Sequence, residues 1–351
     1  MTKILIAMSG GVDSSVVALI MKNKGYDCQG ILMKLFDGDN EPACCTKKDI
    51  EDARAVAESL SIPFLVTNMS EGFRENVIDK FIFAYENGMT PNPCIDCNRH
   101  MKFEKLFDEG VRLGCEKVAT GHYARIHFDE KSGRYILKKA LDETKDQSYV
   151  LYSLTQAQLA RAMFPLGEMS KSSVRQLAES AGFINADKGD SQDICFVKNE
   201  MYYDFIERTR QKHYPEGDFV TVDGKKLGKH KGIIRYTVGQ RKGLGIAYTS
   251  PLYVVKVNPD DNTVILGSNS DLFTDTLIAK NINLISVNDI TSPMRVTAKV
   301  RYRHTAQPAT VTQLDHDTIK VVFDSPQRAI TKGQSVVLYD GDTVVGGGII
   351  Q

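Results

Sequence analysis

No stretch of this 351-residue chain approaches the ~18 uninterrupted apolar residues of a membrane-spanning helix. A secretory leader is not expected either, because Asp13 stands where its apolar region would have to continue. The expected location is the cytoplasm, with no membrane partner. Net charge is also lacking, with 44 Lys and Arg against 44 Asp and Glu. Composition therefore gives no general attraction to nucleic acid, and any RNA surface has to be a local basic patch. Seven cysteines, an odd number spread over a long chain, argue against an extracellular disulfide framework and for reduced thiols with metal or catalytic work. Internal repeats and low-complexity tracts are absent. What remains is a globular composition, 42% apolar and 25% charged, on a chain long enough for two or three domains.

Two common nucleotide-phosphate signatures are missing, G-x-x-x-x-G-K-[ST] with its lysine and G-x-G-x-x-G. In their place Ser9-Gly10-Gly11-Val12-Asp13-Ser14-Ser15 follows directly on the apolar run Ile4-Leu5-Ile6-Ala7-Met8. This order reads as a buried parallel strand, a glycine-rich turn and a helix opening at Val12 to Ser15. Adjacent glycines let backbone approach a polyphosphate closely. N–H groups at the helix start and serine hydroxyls donate to its oxygens, and Asp13 is placed to hold a metal ion. The S-G-G-x-D-S pattern resembles the PP-loop of ATP pyrophosphatases, which split ATP between the α and β phosphates and leave an adenylylated substrate.

Up to about Asn199, apolar strands alternate with amphipathic helices. Ile50, Ala53, Ala57 and Leu60 recur at helical spacing after Thr46, and Phe73, Val77, Phe81 and Tyr85 line one face of another helix. The strands Gly30 to Phe36, Phe64 to Val66 and Lys117 to Thr120 complete a βαβα order, which predicts a parallel sheet covered on both sides. Loops leaving the strands at Ser9, Phe36, Asn68 and Gly121 are expected to face one crevice. Ser170 caps a further helix that ends at Gly182. From about Glu216 short strands alternate with Asp-Gly and Asn turns, and the last stretch predicts a small antiparallel barrel. The expected fold is α/β: a PP-loop (adenine nucleotide α-hydrolase-like) catalytic domain over 1–205, a mixed α+β domain over 206–272 and a β-barrel over 273–351.

The loop Thr90-Pro91-Asn92-Pro93 leads into Cys94-Ile95-Asp96-Cys97, and Cys195 follows in Ile194-Cys195-Phe196. Two prolines stiffen that loop, and a helix start is expected to lower the pKa of both its thiols. The C-x-x-C pair leaves zinc, redox and iron–sulfur readings open, with Cys44-Cys45 able to complete a zinc site. Cys28 and Cys115 suggest core packing alone.

Ordered matches along nearly the whole chain resemble one family, the MnmA/TrmU family of bacterial tRNA-specific 2-thiouridylases. They include Met8 to Ser15, Cys44-Cys45 ahead of Asp49-Ile50-Glu51-Asp52-Ala53, Thr90 to Pro93 with Cys97-Asn98, and Ala119-Thr120-Gly121-His122-Tyr123-Ala124. Further matches are Lys145-Asp146-Gln147-Ser148-Tyr149, Ile194-Cys195-Phe196, Tyr236 to Gly245, Val300-Arg301-Tyr302-Arg303 and Gly346 to Ile350.

The resemblance implies ATP-dependent replacement of the C2 oxygen of a tRNA wobble uridine by sulfur, with AMP as leaving group. ATP is expected on Ala7, Met8, Ser9, Gly10, Gly11, Val12, Asp13 and Ser14, with Met33 and Gly121 flanking adenine and ribose and Mg²⁺ on Asp13. Cys195 is expected to carry a persulfide and Cys97 to release its terminal sulfur through a Cys97–Cys195 disulfide. Many members of the family have aspartate where this chain has Cys94, so a [4Fe–4S] cluster on Cys94, Cys97 and Cys195 is the competing expectation. Expected tRNA contacts are Asn92, Pro93, Cys94, His122, Lys145, Asp146, Gln147, Arg301, Tyr302 and Gln334. Expected partners are tRNAs of the lysine, glutamate and glutamine type and a cysteine desulfurase or sulfur-relay protein. Two alternatives are a PP-loop synthetase or amidotransferase acting on a small molecule, and a non-catalytic RNA-binding protein with a zinc-stabilised loop.

Overall fold

The computed structural model describes residues 1–36, 46–189, 194–197 and 200–351. Cys44-Cys45 and Asp190 to Asp193 lie outside the described residues. The chain forms two compact units, each discontinuous in sequence. One comprises Met1–Val77, Cys94–Asn199 and Asp342–Val344; the other comprises Ile78–Pro93, Glu200–Gly341 and Val345–Gln351.

The first unit is built on a parallel sheet. Strands β1 (Lys3–Ala7), β2 (Asp27–Lys34), β3 (Phe64–Asn68) and β4 (Lys117–Ala119) stand in the order β3-β2-β1-β4, and the short strand Ala162–Met163 extends the β4 edge. All of these pairings are parallel. β1 is entirely apolar apart from Lys3 and is flanked on both sides, which is why it reads as a continuous hydrophobic run rather than an alternating one. Ile4 and Ile6 point into a core shared with Val16 and Val17 of helix α1 (Val12–Asn23), Ala53 and Val56 of helix α2 (Lys47–Ser59), and Val174 and Ala178 of the helix Lys171–Ser180. Leu5 points the other way, toward Gly110 in the helix Leu106–Arg112. The expected two-sided cover is therefore present. Because β1 has β2 on one side and β4 on the other, the strand order reverses beyond its carboxyl end, the place where open α/β sheets bind ligands.

A hairpin, Ala124–Asp129 with Arg134–Lys139, also belongs to this unit, and Thr343 pairs with Lys138 at its edge. The apolar face Phe73, Val77, Phe81 and Tyr85 is buried, but its helix changes form partway, with α turns at Ser70–Phe73 and Asp79–Glu86 around a π turn at Arg74–Ile78. A repeat of four residues is longer than the 3.6 of an α-helix, and a wider turn keeps such a face aligned.

The second unit holds two β systems. Gly217–Thr221, Lys226–His230, Tyr253–Asn258 and Thr263–Gly267 form a four-stranded mixed sheet. Six strands, Phe273–Leu284, Met294–Lys299, Gln307–Gln313, Thr318–Arg328, Ser335–Asp340 and Thr343–Ile350, form the antiparallel barrel, which closes where Ala279 meets Ile350. Inward-facing Val296, Ala298, Val311, Val321, Phe323, Val336 and Leu338 fill it. Among the described residues no helix is long and apolar enough to cross a membrane.

Candidate active site

The loop after β1 is held in shape by its own hydroxyls. Ser9 N–H donates to Ser14 Oγ at 3.1 Å, while Ser14 Oγ and Ser15 Oγ each donate to the Gly11 carbonyl at 3.0 Å. Gly10 has φ +74°, and a Cβ there would lie 2.2 Å from the Asp49 carbonyl oxygen. No L side chain fits. Gly11 differs: its φ is −94°, and an added Cβ would meet only Ser9 Oγ, at 3.5 Å. Packing thus requires the first glycine and leaves the second without a steric reason.

The turned Gly10 carbonyl accepts from Lys188 Nζ at 2.9 Å and from Asn185 Nδ2 at 3.0 Å. Lys188 also donates to Asp49 Oδ1 at 2.6 Å and to buried Asp52 at 2.8 Å, and Asn185 reaches Ser15 Oγ at 3.0 Å. Asp49 itself caps α2 in a reciprocal pair with Thr46. Burial alone would raise the Asp49 pKa, but hydrogen bonds from Lys188 and Thr46 and the Lys188 charge hold it below the usual carboxylate range.

Asp13 lies in the first turn of α1. Both of its oxygens accept from Lys171 Nζ, at 2.8 and 2.9 Å, and Oδ1 also accepts from the Tyr123 hydroxyl at 2.8 Å. The carboxylate is the right kind of hard oxygen donor for Mg²⁺. With an ammonium on both oxygens, however, it fits a dication only once that ion pair opens. Gly121 packs against the same helix start, where a Cβ would lie 3.1 Å from Asp13 Cβ and 3.2 Å from Ser14 N. Met33 is half-buried at the carboxyl end of β2, paired with Thr67. Ala7 and Met8 finish the strand, Met8 N–H still donating to the Ile31 carbonyl at 2.8 Å, and Val12 is buried.

The cysteines sit on a second feature of the same unit. After one turn at Pro93–Asp96, Cys97–Lys105 forms a nine-residue π-helix. Its Asn98 donates to the Val150 carbonyl at 3.1 Å and lies 3.1 Å from His122 Nε2, while His122 Nδ1 is 2.7 Å from Thr120 Oγ1. His122 is flanked by the rings of Phe103 and Phe164; burial and the nearby Lys102 push its pKa well below the ordinary value, so it is neutral.

Burial pushes the Cys97 thiol up to about 12; Lys102 pulls it down, and Cys195, Cys94 and Asp96 push it further up. The Cys94 side chain is exposed yet crowded by protein, and desolvation raises its pKa against the pull of Lys102, with Cys195 again adding to the rise. The expected lowering of both pKa values at a helix start is therefore overturned: loss of water outweighs one cation and a one-turn helix. Cys195 is half-buried, and Phe196 packs edge-on against Phe73. The three thiols act on one another electrostatically, but among the described residues no three His, Cys, Asp or Glu side chains converge to hold a metal ion. Cys28 and Cys115 are buried in the core, as packing alone required.

The residues expected at tRNA divide by environment. His122 is 6% exposed. Asp146 accepts from the N–H groups of Ala140 and Ser148, and Gln147 Oε1 accepts from Tyr123 N–H, so both organise backbone; neighbouring Lys145 is half-buried. In the second unit Gln334 Nε2 donates to the carbonyls of Thr90 and Pro91 at 2.8 and 3.1 Å, fixing the turn that carries Asn92 and buried Pro93. Arg301 Nη2 reaches the carbonyls of Val238 and Ala329 and the Thr331 hydroxyl, whereas Tyr302 is exposed.

Sequence reasoning missed Lys171, Lys188, Asn185, Tyr123, Asp49 and Asp52. One signal was present: Lys171 directly follows the Ser170 cap, and a cation in the first helical turn opposes the helix dipole unless an anion faces it.

Residues 2–199 match the family described as tRNA methyl transferase HUP domain, 203–268 the tRNA methyl transferase PRC-barrel domain, and 274–350 the Aminomethyltransferase beta-barrel domain. A tRNA-specific 2-thiouridylase MnmA of Clostridioides difficile is 52% identical over 353 residues, covering 99% of this chain and 98% of that protein. One from Acetivibrio thermocellus is 47% identical over 355 residues, covering 99% of each. Among solved structures, the U34-tRNA thiolase NcsA from Methanococcus maripaludis with its [4Fe-4S] cluster aligns at TM-score 0.37 and 17% identity, over 60% of this chain and 65% of that one.

Proposed function

The chain belongs to the MnmA family of tRNA-specific 2-thiouridylases, and from that premise we infer how its residues divide the work of ATP-dependent 2-thiolation of tRNA uridine. One unit carries both a clamped S-G-G-x-D-S loop and three mutually interacting thiols, and that conjunction supports the reading best. Neither alternative makes use of both. A small-molecule synthetase needs no cysteine trio, and a zinc-stabilised RNA binder needs no nucleotide loop.

A uracil carbonyl is a poor electrophile and oxide cannot leave, so O2 attacks the α-phosphorus of ATP and pyrophosphate departs. The backbone from Ala7 to Ser14 binds the nucleotide, with Met33 and Gly121 beside adenine and ribose. Asp13 would hold Mg²⁺ once Lys171 leaves it, and the ion would neutralise phosphate charge. The terminal sulfur of a persulfide on Cys195 then attacks C2, and AMP leaves with the original oxygen. Cys97 attacks Cys195 Sγ, releasing 2-thiouridine and forming a Cys97–Cys195 disulfide that an external dithiol reduces. A desulfurase or relay protein reloads Cys195.

We assign tRNA contact to the regions 206–272 and 273–351, with exposed Tyr302 as a stacking surface for an unpaired base. Gln334 and Arg301 act by fixing backbone in the second unit, Asp146 and Gln147 by fixing backbone in the first and His122 by holding Asn98, while Asn92, Cys94 and Lys145 are assigned to contact with the tRNA. The wobble base of lysine, glutamate and glutamine tRNAs is the proposed target, and the cytoplasm the proposed location. Cys94 favours a second reading, in which it joins Cys97 and Cys195 around a [4Fe–4S] cluster after rearrangement.

The test is mass-spectrometric detection of 2-thiouridine in unmodified tRNA given ATP and anaerobically purified protein, with either a persulfide-loaded cysteine desulfurase or sulfide as the sulfur source, and with and without iron–sulfur reconstitution. Thiolation from the desulfurase persulfide without iron supports the persulfide on Cys195; thiolation from sulfide only after reconstitution replaces it with the cluster. AMP release that ignores tRNA would return the protein to the small-molecule synthetases.

A further inference from the structure

The nucleotide loop has no cation of its own, since the lysine of the commoner phosphate loop is missing. Two ammonium groups reach it from far along the chain: Lys188, already spent on the Gly10 carbonyl, Asp49 and Asp52, and Lys171, 158 residues from Asp13, whose Nζ donates to both oxygens of that carboxylate at 2.8 and 2.9 Å. The Lys171 side chain is only 11% exposed. Two further facts mark the place as a seat for an anion. Lys171 is the first residue of a ten-residue helix, so its charge adds to the positive end of that helix instead of being offset by it. Asp13 sits in the first turn of α1, whose cap, Gly11, supplies no side-chain acceptor. The carboxylate of Asp13 thus occupies the position that two helix starts and an ammonium make favourable for negative charge, and Tyr123 donates to it as well.

We propose that Lys171 is the polyphosphate-binding cation of this enzyme and that ATP binding exchanges its partner, the ammonium passing from the Asp13 carboxylate to a phosphate oxygen. A triphosphate carries more charge than one carboxylate and offers several oxygens to the same donors, so it competes for the seat. Adenosine, which has no phosphate, does not. The inference rests on the ATP-using function proposed above and extends it to a residue outside the loop.

The experiment is calorimetric titration of the full-length protein in EDTA with ATP, pyrophosphate and adenosine, for wild type, Lys171→Met and the Asp13→Asn/Lys171→Met double variant. Lys171→Met is expected to weaken ATP and pyrophosphate about 10- to 100-fold, the range for loss of a charge-assisted hydrogen bond. Adenosine should change by less than about threefold, and the double variant should stay weak for both phosphates. Recovery of ATP affinity in the double variant would show that Lys171 merely neutralises Asp13, and unchanged affinity in Lys171→Met would also overturn the proposal. Should Lys171→Met not fold, Asp13→Asn carries the test: freeing the ammonium is expected to tighten pyrophosphate about threefold or more, and unchanged or weaker binding overturns the exchange. Failure of the wild type to bind either phosphate ligand would instead bring down the ATP reading itself.

Discussion

The nucleotide loop and the cysteine helix, both in the first unit, are prepared to different degrees. The backbone of the loop is held before any ligand arrives: its Gly10 carbonyl is engaged by Lys188 and Asn185, and the Ser14 and Ser15 hydroxyls are spent on the Gly11 carbonyl. The cysteine helix is poised against its own chemistry, because the Cys97 thiol is held up at about 12, where almost none of it is thiolate at neutral pH. Adenylylation needs rigid donors from the start. In the proposed mechanism, a Cys97 that stays protonated until substrate changes its surroundings does not attack the Cys195 persulfide early.

The largest effect that separates the two features comes from the sulfur side. Cys97→Ala and Cys195→Ala should each lower tRNA thiolation by more than about a thousandfold, with ATP affinity in titration unchanged. Loss of ATP binding in either variant would mean the two features are not independent.

The two glycines of the loop give the next contrast. Gly10→Ala places a methyl 2.2 Å from the Asp49 carbonyl oxygen at φ +74°, and should abolish ATP binding and lower the melting temperature. Gly11→Ala has room, so its melting temperature should stay within about 2 °C of wild type. ATP affinity should still fall, because the methyl stands where phosphate approaches backbone; unchanged affinity would remove Gly11 from the binding surface.

On the cysteine side, iodoacetamide labelling of Cys97 in a Cys94→Ser background should rise about tenfold per pH unit from about pH 7 to 9 without levelling off. The sign follows from the raised pKa: the thiolate fraction is still climbing throughout that window. A plateau near pH 8.5 or so would mean Lys102 outweighs burial.

The smallest expected effect concerns the clamp. Lys188→Met leaves Asp52 buried without its partner and should cost about 2 kcal/mol in urea unfolding, less than the ~3–5 of a fully buried pair because the Lys188 side chain is 31% exposed. Asp49 is held below the usual carboxylate range, so its share of the stability is present above about pH 4 and is lost as acid titrates through the lowered pKa. The Lys188 pKa is raised: burial opposes the rise, and Asp49 and Asp52 outweigh it. Its share is present below about pH 10.5 and disappears only above that. Between these limits the stability difference between wild type and Lys188→Met should be flat, and a slope in that difference would mean that groups outside the clamp respond to the substitution.

What was legible in the sequence was contiguous. Ile4 to Ser15 declares a strand, a turn and a helix in twelve residues, and the helix after Thr46, the Ser170 cap and the barrel strands rest on equally local signals. The clamps were not legible because Lys188 reaches Gly10 across 178 residues and Lys171 reaches Asp13 across 158. The π turns escaped because a four-residue apolar repeat is compatible with either helix form until packing chooses. The thiol pKa was misjudged for a related reason: a helix start is visible in a motif, but the burial that overrides it depends on chain far away in sequence.

The edge strand of the first unit has a consequence for how the protein is made. Arg125 pairs with Asp342 at 2.8 Å, Lys139 N–H donates to the Asp342 carbonyl, and Thr343 meets Lys138. A chain emerging from the ribosome therefore supplies the last piece of its first body only after most of the second has been synthesised. The hairpin waits for Asp342 to Val344 with one edge open, so a chain broken off before residue 342 is left with two incomplete bodies instead of one finished domain.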